Sequence, residues 1–402
     1  MKKIALVNQR YGLEVNGGSE YYTRLIAEKL SKYYEVEVLT SKALSYEKWA
    51  DYYTKDVETI HGVTVRRFSV AHERNDFLMK ILSRVVTKLH FNTKRICNIW
   101  VREEGPYVPD LINYIAQNKE EYSVFIFVTY MYYPTIAGME QAKEKAIFIP
   151  TAHDEPYIYF KSHAPLFTMP KGIIYLTEEE KAFVQGLYHN EAIPSIVAGV
   201  GVDLPQSVDA DRFRKKYRID GEYLIYVGRV DKSKGCAEMI EYFRRYRDEK
   251  RAENPSEDKL PTLVIMGQEF MKIPGDPNIR YLGFVSEEDK FDAVQGASAL
   301  WLPSQFESLS ISVLEAMSLH VPVLVNGKCE VLKGHIKKSG GGLYYTSYEA
   351  CKEAMDMLLL NQEKRDEMGQ AAYAYIEKYY LWDKIIEKIQ SVIQLVEQNN
   401  IK

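Results

Sequence analysis

The chain has 402 residues, 46% of them apolar and 27% charged, with a net charge of −4. That length exceeds one hydrophobic core and predicts two domains of roughly 150–200 residues each, and the apolar content excludes a disordered chain. The negative balance excludes nucleic-acid binding by bulk electrostatics; four scattered cysteines (Cys97, Cys236, Cys329 and Cys351), with no C-x-x-C pair, suggest neither a disulfide framework nor a zinc site and fit a reducing, cytoplasmic compartment.

The first apolar run, Ile4–Val7, is far too short for a signal-peptide core and reads as a strand. No run reaches the roughly 18 apolar residues of a spanning helix. Asn16-Gly17-Gly18-Ser19-Glu20 follows and opens the helix Tyr21–Leu30. Its glycines let a phosphate or sugar approach backbone amides, though a flexible connector would use them too. The spacing is not G-x-G-x-x-G, which counts against a dinucleotide site. Strands are predicted at Val36–Leu39 and Val63–Phe68.

Phe77–Arg102 then carries Lys80, Arg84, Lys88, Lys94, Arg95 and Arg102 and no acidic residue. On one helix Lys80, Arg84, Lys88 and Arg95 share a face. Leu78, Ile81, Leu82, Val85, Val86, Leu89, Ile96 and Trp100 supply the other. Such a helix lies on an anionic membrane, or packs on a sheet with its basic face in water.

A helix at Pro109–Gln117, strands at Val124–Val128, Ala146–Ile149 and Gly172–Leu176, and a helix at Glu178–Leu187 complete this half. The alternation predicts a parallel sheet covered by helices. Pro150-Thr151-Ala152-His153-Asp154-Glu155-Pro156 follows the strand Ala146–Ile149. A lone histidine is more often structural, but His153 ends a strand and is followed by acids. Tyr11, Tyr130, Tyr132 and Tyr133 also follow strands, where they would stack on a glycan or simply pack the core.

The Gly/Pro-punctuated segment 198–205 and a polar stretch running to Gly221 read as a linker. The strand–helix pattern restarts with strands at Tyr223–Val227, Leu263–Met266, Ile279–Leu282, Ala299–Leu302 and Val323–Val325. Helices fall at Cys236–Glu249, Glu287–Gln295 and Ile311–Leu319, and the charged run Glu249–Lys259 reads as a surface loop. An amphipathic helix, Asp383–Glu397, ends the pattern. The predicted organisation is an α/β domain over 1–202, a second over 203–380, and a C-terminal helix over 381–402 packing back on the first. Two such halves would face a central cleft, with ligands at the C-terminal ends of the strands.

Two motifs in the second half carry chemistry. Gly228-Arg229-Val230-Asp231-Lys232-Ser233-Lys234-Gly235 sits between a strand and a helix. Gly228 allows a tight turn, and Arg229 and Lys234 set two cations beside a helix N-terminus, which suits a diphosphate. A basic surface turn would look alike. After the strand Ala299–Leu302 come Glu307 and Glu315, separated by seven residues. On one helix they would stand about 12 Å apart, too far to share one bond-cleavage site but suited to two parts of a long ligand. Glu315 lies among Val313, Leu314, Ala316 and Met317; a carboxylate there needs partners unless it simply faces solvent.

Together the two motifs resemble the retaining GT-B glycosyltransferases of family 4 (glycosyl transferases group 1), which carry G-R-x(4)-K-G and then E-x(7)-E in the C-terminal domain. The resemblance implies two Rossmann-like domains facing a cleft. It implies a nucleoside-diphosphate sugar as donor substrate and no cofactor; no Asp-x-Asp follows a strand in the first half and no His/carboxylate set clusters, so no metal is expected. Arg229 and Lys234 would neutralise the diphosphate, Glu315 would bind the ribose and Glu307 the transferred sugar. Amides near Leu309 and Ser310 would face the donor. Many relatives have Gly or Pro just after the first Glu where this chain has Ser308-Leu309-Ser310. Gly267 and the Gly283-Phe284-Val285 turn resemble the wall around the base. Gly17 and Gly18 would close over the donor, and His153 would contact its sugar. The implied acceptor is a glycan or lipid-linked sugar in bacterial cell-surface polysaccharide synthesis. The protein would then be cytoplasmic, either free or peripheral on the membrane's inner face. A sugar phosphorylase, a nucleotide-sugar epimerase and a non-catalytic sugar-nucleotide binder are the rival readings.

Overall fold

The computed structural model describes residues 1–15, 17–87, 93–205, 207–255 and 260–400. The chain divides into unit 1, Met1–Val200 with the segment from Asp383, and unit 2, Gly201–Trp382. Unit 1 contains β1 (Lys3–Val7), β2 (Glu35–Ser41), β3 (Val57–Ile60), β4 (Val63–Phe68), β5 (Val124–Val128), β6 (Ala146–Ile149), β7 (Gly172–Tyr175) and β8 (Ser195–Val197). Their order across the sheet is β3-β4-β2-β1-β5-β6-β7-β8. All pairs are parallel except the β3–β4 hairpin. The strands run near-continuously apolar because helices cover both faces: Ile4, Ala5, Leu6 and Val7 of β1 are wholly buried.

Unit 2 contains β9 (Tyr223–Val227), β10 (Thr262–Met266), β11 (Ile279–Gly283), β12 (Ala299–Leu302), β13 (Val323–Asn326) and β14 (Gly342–Tyr345). They form an all-parallel sheet in the order β11-β10-β9-β12-β13-β14. The chain steps outward from β9 to β11, then jumps back to β12 and steps the other way. The strand order therefore reverses between β9 and β12, and in unit 1 between β1 and β5. These switch points are where doubly wound sheets hold ligands.

Several sequence expectations need correction. The hairpin strand β3 was not anticipated, because Val-Glu-Thr-Ile is a short edge strand with no buried residue and no continuous apolar run. The short strands β8 and β14 were not anticipated either. The supposed linker contains the helix Ala210–Tyr217, whose Asp209 side chain caps Arg212 N–H and whose Phe213 is fully buried. The charged run from Glu249 is not a loop at its start. The helix Cys236–Glu253 continues through it, because Lys352 pairs Glu249 at 2.8 Å and Glu253 at 3.1 Å.

The basic stretch forms two helices, Asp76–Thr87 and Lys94–Glu104, rather than one. Thr93 is extended and caps the second, and Trp100 Nε1 donates to Ser83 Oγ at 3.0 Å to dock the pair. Lys88 and Leu89, counted in the amphipathic pattern, lie outside the described residues. The terminal helix Trp382–Asn400 belongs to unit 1 from Asp383 onward. Its Val392 and Val396 pack over Gly172 of β7, and Lys2 pairs with its Glu397 at 2.6 Å.

Candidate functional site

The two motifs follow β9 and β12, the neighbours at the switch point of unit 2. The loop after β9 makes a 3-10 turn, Lys232–Lys234, before the helix Cys236–Glu253. Lys234 Nζ donates to Glu307 Oε1 at 2.8 Å, so a cation of the first motif meets a carboxylate of the second. Both side chains keep some exposure, 31% and 17%. Arg229 reaches Ser233 Oγ at 3.5 Å and lies over the ring of Phe270, 5.7 Å from its centroid. Burial opposes ionisation of Asp231, but Ser233 N–H and the charges of Arg229 and Lys234 hold its carboxyl below the usual range.

The loops interlock through glycine. Gly235 has φ +77°, and a Cβ there would stand 2.5 Å from the Pro303 carbonyl oxygen. Gly267, after β10, would place a Cβ 1.9 Å from the carbonyl oxygen of Gly228.

Ser310 has φ +71° and precedes the helix Ile311–Ser318 without a side-chain cap. Among the described residues no group accepts the backbone N–H of Leu309 or Ser310. The N-terminus of this helix therefore keeps both its open donors and its positive dipole end. Two buried side chains, one at the end of β13 and one on the helix Glu330–Ser339 that follows, support the loop. Asn326 Nδ2 donates to the Pro303 carbonyl at 3.0 Å, and His335 Nε2 lies 3.0 Å from the Leu309 carbonyl. Since that carbonyl only accepts, Nε2 carries the proton.

Glu315 does not face solvent. It is buried in the helix, and its Oε1 takes Lys290 Nζ at 3.0 Å. Burial pushes its carboxyl up, against the pull of Lys290. The sequence reading missed Lys290 and His335 because neither stands in a motif, and their partners lie 25 and 26 residues away.

On the β10–β11 side, Gly267 N–H donates to the Gly283 carbonyl at 2.9 Å, and Tyr281 hydroxyl donates to the Gly267 carbonyl at 2.9 Å. Both Gly267 backbone groups thus serve the fold. Phe284, 64% exposed, and the half-buried Val285 follow β11.

In unit 1, His153 follows β6 and its Nε2 lies 3.4 Å from Glu155 Oε1. Tyr130, which follows β5, donates its hydroxyl to the same carboxylate. Burial works against the Glu155 carboxylate, but His153 and then Tyr130 hold its carboxyl below the usual range. The peptide before His153 is fixed by Glu180, whose Oε1 accepts Ala152 N–H and Oε2 accepts Leu176 N–H, both at 2.6 Å. Burial pushes the Glu180 carboxyl up to about 7. Thr129 and Thr151, at φ +70° and +53°, hydrogen-bond each other at 3.2 Å. For β-branched residues that backbone is a genuine outlier, of the kind that gathers at functional sites.

Gly17 and Gly18 follow β1. A Cβ on Gly17 would strike Glu20, whereas Gly18 has open space within 4 Å. Asn16, the first residue of that motif, lies outside the described residues. Of the four tyrosines proposed for stacking, Tyr11 and Tyr130 are core residues, while Tyr132 and Tyr133 are half-buried.

Residues 208–375 match the family described as glycosyl transferases group 1. An uncharacterized glycosyltransferase of Methanocaldococcus jannaschii is 21% identical over 98% of both chains. Sucrose-phosphate synthase from Thermosynechococcus elongatus superposes over 98% of both chains, with TM-score 0.70 and 15% identity. Anabaena HepE in complex with UDP-glucose does so over 99% of this chain and 100% of that one, with TM-score 0.68 and 12% identity. At such identities the structural likeness speaks for the fold, which is that of the GT-B glycosyltransferases. Residues 208–375 are thus similar to the glycosyl transferases group 1 family, in a chain with the GT-B fold.

Proposed function

We propose that the protein moves a hexose from a nucleoside-diphosphate sugar, with UDP as the nucleotide, to a glycan or lipid-linked acceptor, with retention and without a metal. The observation that carries this reading is the 2.8 Å pair Lys234–Glu307, which joins both motifs at the β9/β12 switch point. An ammonium has three protons, so Lys234 keeps donors for a phosphate after bonding Glu307. Lys234, Arg229 and the open N-terminus of the helix Ile311–Ser318 would meet the charge that grows on the leaving diphosphate. Glu307 would bond the transferred sugar and Glu315 the ribose. In unit 1, His153 is proposed as a sugar contact, with Glu155 holding its ring, and Gly18 as the glycine that leaves room for ligand.

The test incubates the full chain with UDP-glucose, UDP-galactose, UDP-N-acetylglucosamine, GDP-mannose and ADP-glucose, following melting temperature and sugar transfer. A UDP-sugar should raise the melting temperature and be turned over only with acceptor, equally well in EDTA, giving a product of unchanged anomeric configuration by NMR. Turnover without acceptor would point to an epimerase, and dependence on phosphate to a phosphorylase. If no nucleotide sugar shifts the melting temperature, the reading fails.

The lipid-linked acceptor and a peripheral place on the cytoplasmic leaflet are part of the same proposal. What supports them is the helix Asp76–Thr87. Met79, Leu82 and Val86 face the core, while Phe77 (75% exposed), Ile81 (44% exposed), Lys80 and Arg84 share the outer face. Apolar side chains among cations suit an anionic bilayer. The protein should sediment with phosphatidylglycerol vesicles and not with phosphatidylcholine alone, and K80E/R84E should abolish the difference. Among the described residues no helix is long and apolar enough to cross a membrane.

A further inference from the structure

Glu315 lies in the interior of unit 2, on a helix whose neighbouring side chains Val313, Leu314, Ala316 and Met317 are all buried. A carboxylate there would ordinarily take up a proton, since burial disfavours the charged form. Lys290 opposes this. It stands on the helix Glu287–Gln295, which follows the Phe284–Val285 turn, and reaches across to Glu315 Oε1 at 3.0 Å. The two side chains are 13% and 12% exposed, so the attraction between them is little screened. Glu287, largely exposed, bonds Lys290 at 2.8 Å and is the other charged side chain acting on the pair. Among the described residues, Glu315 Oε2 accepts no hydrogen bond. The carboxylate is thus half engaged: one oxygen is anchored by a cation and the other keeps its acceptor capacity.

We propose that Lys290 is a positioning residue of the donor site, holding Glu315 as an oriented carboxylate so that its second oxygen accepts from the ribose hydroxyls of the nucleotide. This rests on the reading of Glu315 as a ribose contact. A protonated Glu315 would present one donor and a weaker acceptor, and would lose the charge-assisted part of the bond. Lys290 therefore sets both the strength of ribose recognition and its tolerance of falling pH. Without Lys290, burial would act unopposed on Glu315, and the carboxylate would be lost as pH falls through a range where the wild type keeps it. Glu287, of like charge, acts in the same direction.

The experiment titrates the full chain with UDP, 2′-deoxy-UDP and 3′-deoxy-UDP by calorimetry between pH 6 and 8.5, for wild type, K290M, K290R, E315Q and K290M/E315Q. Wild type should favour UDP over its deoxy analogues with little pH dependence. K290M should lose about tenfold in UDP affinity at pH 7. It should lose much less for the deoxy analogue whose missing hydroxyl Glu315 reads, and should recover UDP affinity as pH rises. K290R should restore affinity and flatten the pH profile. E315Q should remove the discrimination, and K290M added to it should cost little more. A merely structural Lys290 would weaken all three nucleotides alike, with an unchanged profile. That pattern, or wild-type affinity in K290M, overturns the proposal while the donor-site reading stands. Failure of wild type to bind any of the three removes the donor-site reading and this inference with it.

Discussion

The two sheets are wound by the same rule but leave different charges at their switch points. Beside β9 and β12, Lys234 and Glu307 are paired yet partly exposed, and Lys290 leaves one oxygen of Glu315 unused. Beside β1, Arg10 and Glu20 are paired at 7% and 6% exposure, and Arg10 also donates to the Leu44 carbonyl. An ion pair with spare donors and access to solvent can bind a ligand. A buried pair whose members are bonded on several sides holds a loop in place, and removing one member strands the other. The same motif grammar, a strand followed by charge, therefore gives a candidate binding group in unit 2 and a scaffold group in unit 1.

The largest separation should come from two alanine variants. If Lys234 acts as proposed, K234A should lower turnover of a UDP-sugar by about a thousandfold, while moving stability by only about 1 kcal/mol. R10A should instead lose about 3–5 kcal/mol of stability in a urea titration, since Glu20 is left as a buried, unpaired charge. The distinction between the units breaks if K234A unfolds the protein or R10A leaves its stability intact.

Next in size is G235A, at about 3 kcal/mol of stability. The added methyl would meet the Pro303 carbonyl at 2.5 Å in a left-handed backbone, and neither can yield without parting the two motifs. Chemical denaturation measures the loss. A near-neutral G235A would mean that the loops after β9 and β12 are not locked together.

Much of this was legible in sequence. Buried parallel strands are apolar runs, so β5 and β9 announce themselves, and the glycines and charges after them mark the turns. The edge strand β3 and the helix Ala210–Tyr217 were not, because their burial depends on one face or one side chain, Phe213. Arg229, Lys234, Glu307 and Glu315 were legible through motif spacing. Their partners were not: Lys290 meets Glu315 and His335 meets Leu309 only after separate strands have brought their loops together. Motif spacing points to the candidate ligand groups, whereas the groups that hold them are set by tertiary packing. Nor does sequence reveal which of two adjacent glycines has room, as Gly18 has and Gly17 lacks.

The smallest effect concerns strain. Both units hold non-glycine residues at positive φ near a candidate site, Thr129 and Thr151 in one and Ser310 in the other. The threonines are tied to each other, so replacing either removes a hydrogen bond along with the strain. Ser310 is different. Its hydroxyl makes a long 3.3 Å contact with Ser312, and its conformation is held mainly through the neighbouring Leu309 carbonyl by His335. S310G should therefore relieve the left-handed backbone at little cost and raise stability by about 0.5–1 kcal/mol, measured by urea titration. The same change added to H335F should gain less. Without the imidazole the loop can leave the strained conformation, and the glycine then has less strain to remove. Equal gains in the two backgrounds would show that His335 does not hold Ser310 where it is.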